Sequence, residues 1–264
     1  MVTQRWALVD DRLVDVVGVL FSQNIKIRYR GSVLGIVWSA LNPLVMATVY
    51  SAVFGRTFAP YYGGSVVLYG CTVFIGLSLV GFFVASTSEC STILVQNGGL
   101  INKVRVPLEA FPLATIAAHA FQLIAGALPI VVVISLVVNH DPLRVLLLVI
   151  PLAALLMLTA GVGILVSAAG VFFRDVPHLY ELATFLLWVT SPVFYPVAIV
   201  PHPLVHVLIF NPLFVILRSA LDIVIAPVLP APWLPMLGFA EGALALAVGI
   251  AAFAAMRPRF MDHL

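Results

Sequence analysis

The stretch VVLYGCTVFIGLSLVGFFVASTSE, Val66 to Glu89, carries no charged side chain before its last residue. A helix needs roughly 20 apolar residues to cross the hydrocarbon core of a bilayer, so this segment reads as a membrane span. The rest of the chain agrees. Of 264 residues, 62% are hydrophobic and 9% are charged, and the mean hydropathy is +1.15. A soluble domain of this size has a far more charged surface.

Outward from Val66–Glu89, five further apolar segments appear. They run from about Leu34 to Phe54, Leu108 to Val138, Leu143 to Phe173, Leu179 to Phe194 and Trp233 to Met256. The pattern predicts an all-α membrane protein of six spans in a single domain, residues 1–264. The stretches at 108–138 and 143–173 are longer than a crossing needs, so they are expected to be tilted, kinked or partly outside the bilayer. Pro129 and Pro151 are the expected kink sites.

Charge orients the bundle. Arg5, Arg12, Lys26, Arg28, Arg30, Lys103, Arg105, Arg174, Arg257 and Arg259 fall on one side of a six-span plan. Only Arg56, Arg144 and Arg218 fall on the other. The positive-inside rule makes the first side cytoplasmic, with both termini there. A count of five or seven spans scrambles the separation. No cleaved leader is expected, because Arg5, Asp10, Asp11 and Arg12 precede any apolar run.

Residues 8–30 read differently. Leu13, Val16, Val17, Leu20 and Phe21 form one stripe, and Lys26, Arg28 and Arg30 close the segment. This predicts an amphipathic helix lying in the membrane interface, the plainer alternative being a solvated cytoplasmic helix. Residues 192–235 hold nine of the eighteen prolines yet stay apolar. Between the breaks, Leu204–Phe210 and Leu213–Val224 are too short to cross. Such pieces suit a re-entrant hairpin over 196–228, between spans five and six, that dips in from the outer face. An extracellular loop resting on the bilayer is the simpler reading.

Several chemistries are excluded. The net charge of +2 comes from dispersed residues, which is no nucleic-acid footprint. No phosphate-binding loop is present, since Gly98-Gly99 near Lys103 lacks the spacing. Glu89, Glu109, Asp175 and Glu181 sit at cytoplasmic ends, His119 reads as a packing histidine, and Glu241 has no assigned role. His202 and His206 flank Pro203 without a nearby carboxylate, which argues against a metal site. Cys71 and Cys90 share one helix, roughly 28 Å apart, too far to bridge. A membrane enzyme needs a polar catalytic cluster, and none is visible. The loop from Ile93 to Pro107 offers a turn at Gln96-Asn97-Gly98-Gly99, then Leu100, Ile101, Lys103 and Arg105. A short exposed helix there could press into a partner's groove.

Against this map, Arg28-Tyr29-Arg30, Val33-Leu34-Gly35, Trp38 and Asn42-Pro43-Leu44 resemble the start of span one in ABC-2 type polysaccharide exporters. Phe54-Gly55 resembles its end. Lys103-Val104-Arg105-Val106-Pro107 with Phe111-Pro112, then Phe172-Phe173-Arg174-Asp175-Val176, Ser191-Pro192-Val193-Phe194-Tyr195 and Asn211-Pro212-Leu213 with Arg218 continue the likeness in order.

The resemblance implies the membrane permease of an exporter in the bacterial inner membrane. It implies a homodimer working with two copies of a separate ABC ATPase. This chain then needs no cofactor of its own, ATP and Mg being held by the partner. The substrate class is a polyprenyl-linked glycan: O-antigen, capsule or teichoic acid. Asn97, Gly98, Leu100, Ile101 and Lys103 become the ATPase-coupling residues. Asn211, Pro212, Arg218 and Asp222 become the outer gate. Trp38, Tyr50, Phe185, Trp188 and Tyr195 become an aromatic rail for sugar, and Lys26, Arg28, Arg30 and Arg105 a clamp for the carrier's pyrophosphate. Interfacial anchoring explains many of the same aromatic and basic residues. The nearest rival is an ABC-2 exporter of a drug or small lipid, and a structural scaffold is a more distant one.

Overall fold

A computed structural model describes residues 11–32, 35–104 and 106–262, the side chains of Asp11, His202, His206, Met261 and Asp262 excepted. Arg5, Val33, Leu34 and Arg105, all used in the sequence reading, lie outside the described residues. Every regular element among the described residues is a helix, with no strand. In order the helices are α1 (Asp11–Tyr29), α2 (Val37–Phe58), α3 (Val66–Gln96), α4 (Gly98–Ile101), α5 (Ala110–Gln122) and α6 (Leu128–Asn139). They continue as α7 (Pro142–Leu147), α8 (Val149–Phe172), α9 (Val176–Thr190), α10 (His202–Leu208), α11 (Pro212–Val224) and α12 (Trp233–Met256).

Polar caps start the helices where the sequence places them. Ser65 accepts from the Leu68 N–H at 3.1 Å to open α3. Asp141 accepts from Leu143 at 2.9 Å and Asn211 from Leu213 at 3.0 Å. Pro142 and Pro212 follow these two caps, at positions where no N–H is needed.

Five segments among the described residues are long and apolar enough to cross a membrane: Val37–Tyr62, Val66–Gln96, Ala110–Asn139, Pro142–Phe172 and Trp233–Phe260. The chain is therefore a multi-pass membrane protein. The segment expected as span five forms α9, which has 15 residues and ends at Thr190 rather than near Phe194. Ser191 is extended at φ −91 and ψ 145, because the ring of Pro192 disfavours a helical residue before it.

The two expected kinks resolve differently. Before Pro129 the chain widens into a π-helical turn, Leu123–Ala127, which accommodates the proline inside a long helix. Pro151 instead occupies the first turn of α8, where it breaks no bond.

α3 lies at the centre. Tyr69, Val73, Phe74, Leu79 and Phe83 on α3 are buried with Leu155 and Leu158 on α8 and Leu213, Ile216 and Leu217 on α11. A second cluster joins Leu94, Ile101, Phe111, Ala168, Phe253 and Phe260 at one end. α8 and α12 approach so closely that a Cβ on Gly249 would overlap the Gly161 carbonyl, and one on Gly161 would overlap Ala245. Small residues at such a crossing let two backbones pack directly.

Candidate functional site

At one end of the bundle a polar network joins three helices. Arg28 of α1 donates to a Glu89 carboxylate oxygen of α3 at 2.6 Å. His119 Nε2 lies 2.8 Å from the same oxygen. Arg28 also donates to Gln122 Oε1 at 2.9 Å, and Gln122 Nε2 donates to the Tyr29 hydroxyl at 2.8 Å. His119 and Gln122 are three residues apart on α5 and so share one face. Phe21 of α1 meets Phe121 edge-on, with centroids 5.9 Å apart. Arg257 closes the same end by pairing with Glu109 at 2.8 Å.

This network floors a cavity of about 700 Å³. Trp38 and Asn42 of α2, Ser78 of α3, His119 of α5, and Phe185 and Trp188 of α9 are among its walls. Much of α2 and α9 beside it faces outward: Trp38 is 54% exposed and Phe185 57%.

From this cavity the aromatic rings form an unbroken series. Phe185 meets Trp188 at 6.3 Å, Trp188 meets Phe194 at 4.7 Å, and Phe194 stacks on Tyr50 at 4.9 Å. Tyr50 then stacks on Phe54 at 6.1 Å and Phe54 on Phe58 at 6.2 Å. Tyr69 lies 5.6 Å from Phe58 and 5.7 Å from Tyr62. All are ordinary spacings for interacting rings.

Tyr62 lines a second cavity, of about 610 Å³, at the opposite end. Arg218, Asp222, Tyr61 and Tyr195 line it too. Arg218 Nε lies 3.8 Å from Asp222 Oδ2, across one turn of α11. Burial pushes the Asp222 carboxyl up from its ordinary value, and Arg218 opposes the shift. Two polar clamps hold the walls. Arg144, buried, donates to the carbonyls of Ile223, Ala226 and Pro227. That seats a cation on the electronegative end of α11. Asn139 adds a bond to Val224 O at 2.6 Å, and the Tyr69 hydroxyl donates to Phe194 O at 2.9 Å.

The loop after α3 holds the short helix α4. Asn97 folds back to donate to Ile93 O at 2.8 Å. Ile101 is buried in the second core while Leu100 and Lys103 face outward. Gly98 is buried against this anchor.

The sequence-derived residues thus fall into separate places. Trp38, Phe185 and Trp188 meet at the first cavity, Tyr50 enters the ring series, and Tyr195 lies at the second cavity. Arg28 is engaged by Glu89, His119 and Gln122, whereas Lys26 and Arg30 are exposed. Asn211 caps α11 and ties it to α9 through Thr190 at 2.9 Å, with Pro212 beside it. The sequence reading passed over Gln122 and took His119 for packing. Their shared face, in an otherwise apolar helix, was the available signal. It also passed over Phe194, Phe58, Tyr62 and Tyr69, whose rings come together only in the fold.

A helical, multi-pass bundle with a polar network at one end and a proline-broken segment at the other defines a membrane permease. Residues 15–225 match the ABC-2 type transporter family, and the chain belongs to that family. It is similar to an O-antigen export system permease protein RfbA of Klebsiella pneumoniae, with 27% identity over 259 residues, 96% of each chain. A second such protein of Klebsiella pneumoniae is 26% identical over the same extent. One of Myxococcus xanthus is 26% identical over 181 residues, covering 68% of this chain and 67% of its own.

Proposed function

We propose that this chain is the membrane subunit of an ATP-driven exporter. It moves a lipid-linked polysaccharide from the cytoplasmic to the outer side of a bacterial inner membrane. The observation that carries this reading is the aromatic wall of the first cavity, where Trp38, Phe185 and Trp188 meet. Aromatic faces hold the C–H faces of sugars with few fixed hydrogen bonds, so a long chain can slide along them. The export-permease names of three relatives support the same substrate class.

In this reading α9, though short, is the fifth of six spans, and α10 and α11 form the re-entrant outer gate with Asn211, Pro212, Arg218 and Asp222. α1 is the interface helix. Both termini are cytoplasmic, which puts the Arg28 network and α4 on the ATPase side. Two copies pair through the exposed faces of α2 and α9, and the pairing closes the first cavity into a passage. Two ABC ATPase subunits bind ATP and Mg and press on α4 around Leu100 and Lys103. Their closure moves α1, and Arg28 transmits that motion to α3 and α5. Lys26, Arg30 and Arg105 remain to meet the carrier's pyrophosphate.

Depleting the protein and assaying membranes for polyprenyl-linked glycan tests the proposal. The expected result is accumulation, reversed by the wild-type chain and not by a variant altered at α4. No accumulation while synthesis is active would transfer the assignment to a drug or small-lipid exporter.

A further inference from the structure

We infer that the second cavity is a saccharide-binding subsite that takes a segment of neutral glycan. The inference rests on the glycan-export reading. Four observations carry it.

The volume, about 610 Å³, fits a small-molecule site, which typically spans roughly 300–1,000 Å³. Its polar groups suit a polyol. Arg218 offers only donors, Asp222 accepts, and the phenols of Tyr61, Tyr62 and Tyr195 can do both. Sugar hydroxyls need this mixture, whereas a phosphate needs donors alone.

The charges balance within the cavity. Arg218 and Asp222 lie 3.8 Å apart, beyond hydrogen-bond reach, and neither has a hydrogen-bond partner among the described residues. One cation beside one anion sets no net field for an anionic ligand, yet leaves directional donors and acceptors open to a neutral one.

The walls are braced before any ligand arrives. Arg144 and Asn139 grip the carbonyls of residues 223–227, and Tyr69 grips that of Phe194. A preorganised wall loses less freedom on binding than a loop that must first order. Gly63 and Gly64, at φ 62 and 80, turn the chain so that Tyr61 and Tyr62 reach the same cavity.

Finally, the cavity lies beside the last ring of the series. Tyr62, the last ring of the series that starts at Phe185, lines this cavity together with Arg218 and Asp222. A subsite there holds the emerging segment between ATP cycles and opposes backsliding.

The test uses right-side-out membrane vesicles carrying the full chain with Ala198→Cys, a small exposed position in the cavity wall. Cys71 is changed to Ser so that it does not report. Labelling by a membrane-impermeant maleimide is followed with and without a soluble oligosaccharide cut from the host's own surface polysaccharide. The expected result is labelling slowed by about tenfold at saturation, because a filled cavity excludes the reagent. Asp222→Asn and Arg218→Gln should each raise the concentration for half-protection by about tenfold, the loss of one charge-assisted hydrogen bond. Labelling unchanged at every oligosaccharide concentration overturns the inference. Protection by glycerophosphoethanolamine with none by oligosaccharide also overturns it and makes the cavity a lipid-headgroup site. The depletion assay separates the two readings. Glycan accumulation with an unprotected cysteine removes the subsite alone, and no accumulation removes the export reading and the subsite with it.

Discussion

The Arg28 guanidinium of α1 sits 2.6 Å from the Glu89 carboxylate of α3, residues 61 positions apart. The same carboxylate oxygen holds His119 at 2.8 Å, so one acceptor joins α1, α3 and α5. The helix that precedes the first long span is thereby fastened to the centre of the bundle. Its movement has a direct route to the floor of the first cavity.

Glu89→Ala removes the shared acceptor. Both Arg28 and Glu89 are part-exposed, so the expected loss is about 1–2 kcal/mol, that of a solvent-screened pair plus one lost hydrogen bond to His119. Thermal unfolding of the detergent-solubilised protein reads it as a lowered midpoint. Export should fall further than stability, because α1 loses its direct link to α3 while keeping Gln122 and Phe121 of α5. An unchanged midpoint would mean that the network holds nothing.

Trp188 is the ring at which the first cavity meets the series, through Phe185 and Phe194. Trp188→Ala should slow glycan export by about two- to tenfold, the size of one lost aromatic contact. Assembly with the ATPase should persist. Surface glycan measured by pulse labelling checks the rate, and normal export would remove Trp188 from the path.

Leu100 and Ile101 are neighbours with opposite surroundings, 44% and 5% exposed. Leu100→Asp should leave folding intact and uncouple substrate-stimulated ATP hydrolysis in reconstituted membranes. Ile101→Asp should reduce the folded yield instead, since it buries a charge in the second core. Equal behaviour of the two variants would deny α4 a docking role.

Arg144 is 8% exposed and holds three carbonyls around the end of α11. Arg144→Met should destabilise the protein by about 2–3 kcal/mol, because those acceptors lose a charged donor. Limited proteolysis should then cut first near residues 225–231. Resistance equal to wild type would show that the segment is held by other contacts.

Much of this architecture is legible in the chain. Long apolar runs read directly as helices because lipid forces every backbone group to bond within its own segment. Ser65, Asp141 and Asn211 announce helix starts through local capping, which needs no distant partner. The end of α9 was misjudged by a few residues because hydropathy continues through Val193 and Phe194 while the backbone obeys Pro192. Hydropathy alone also could not divide Leu143–Phe173 into α7 and α8, since the turn at Leu148 is as apolar as its flanks.

The sequence by itself determined the solvent, most of the helices and the family. Each of these depends on neighbours within a few turns of helix or on the composition of one segment. The tertiary structure alone decided which side chains meet. Arg28 finds Glu89 and His119, Arg144 finds the end of α11, and the rings from Phe185 to Tyr62 come into line. Those pairings join residues up to 94 positions apart for Arg28 and 125 for Tyr69 and Phe194. They depend on how each helix is rotated about its axis. In a chain this uniformly apolar that rotation leaves little periodic trace, because lipid-facing and core-facing residues are equally hydrophobic.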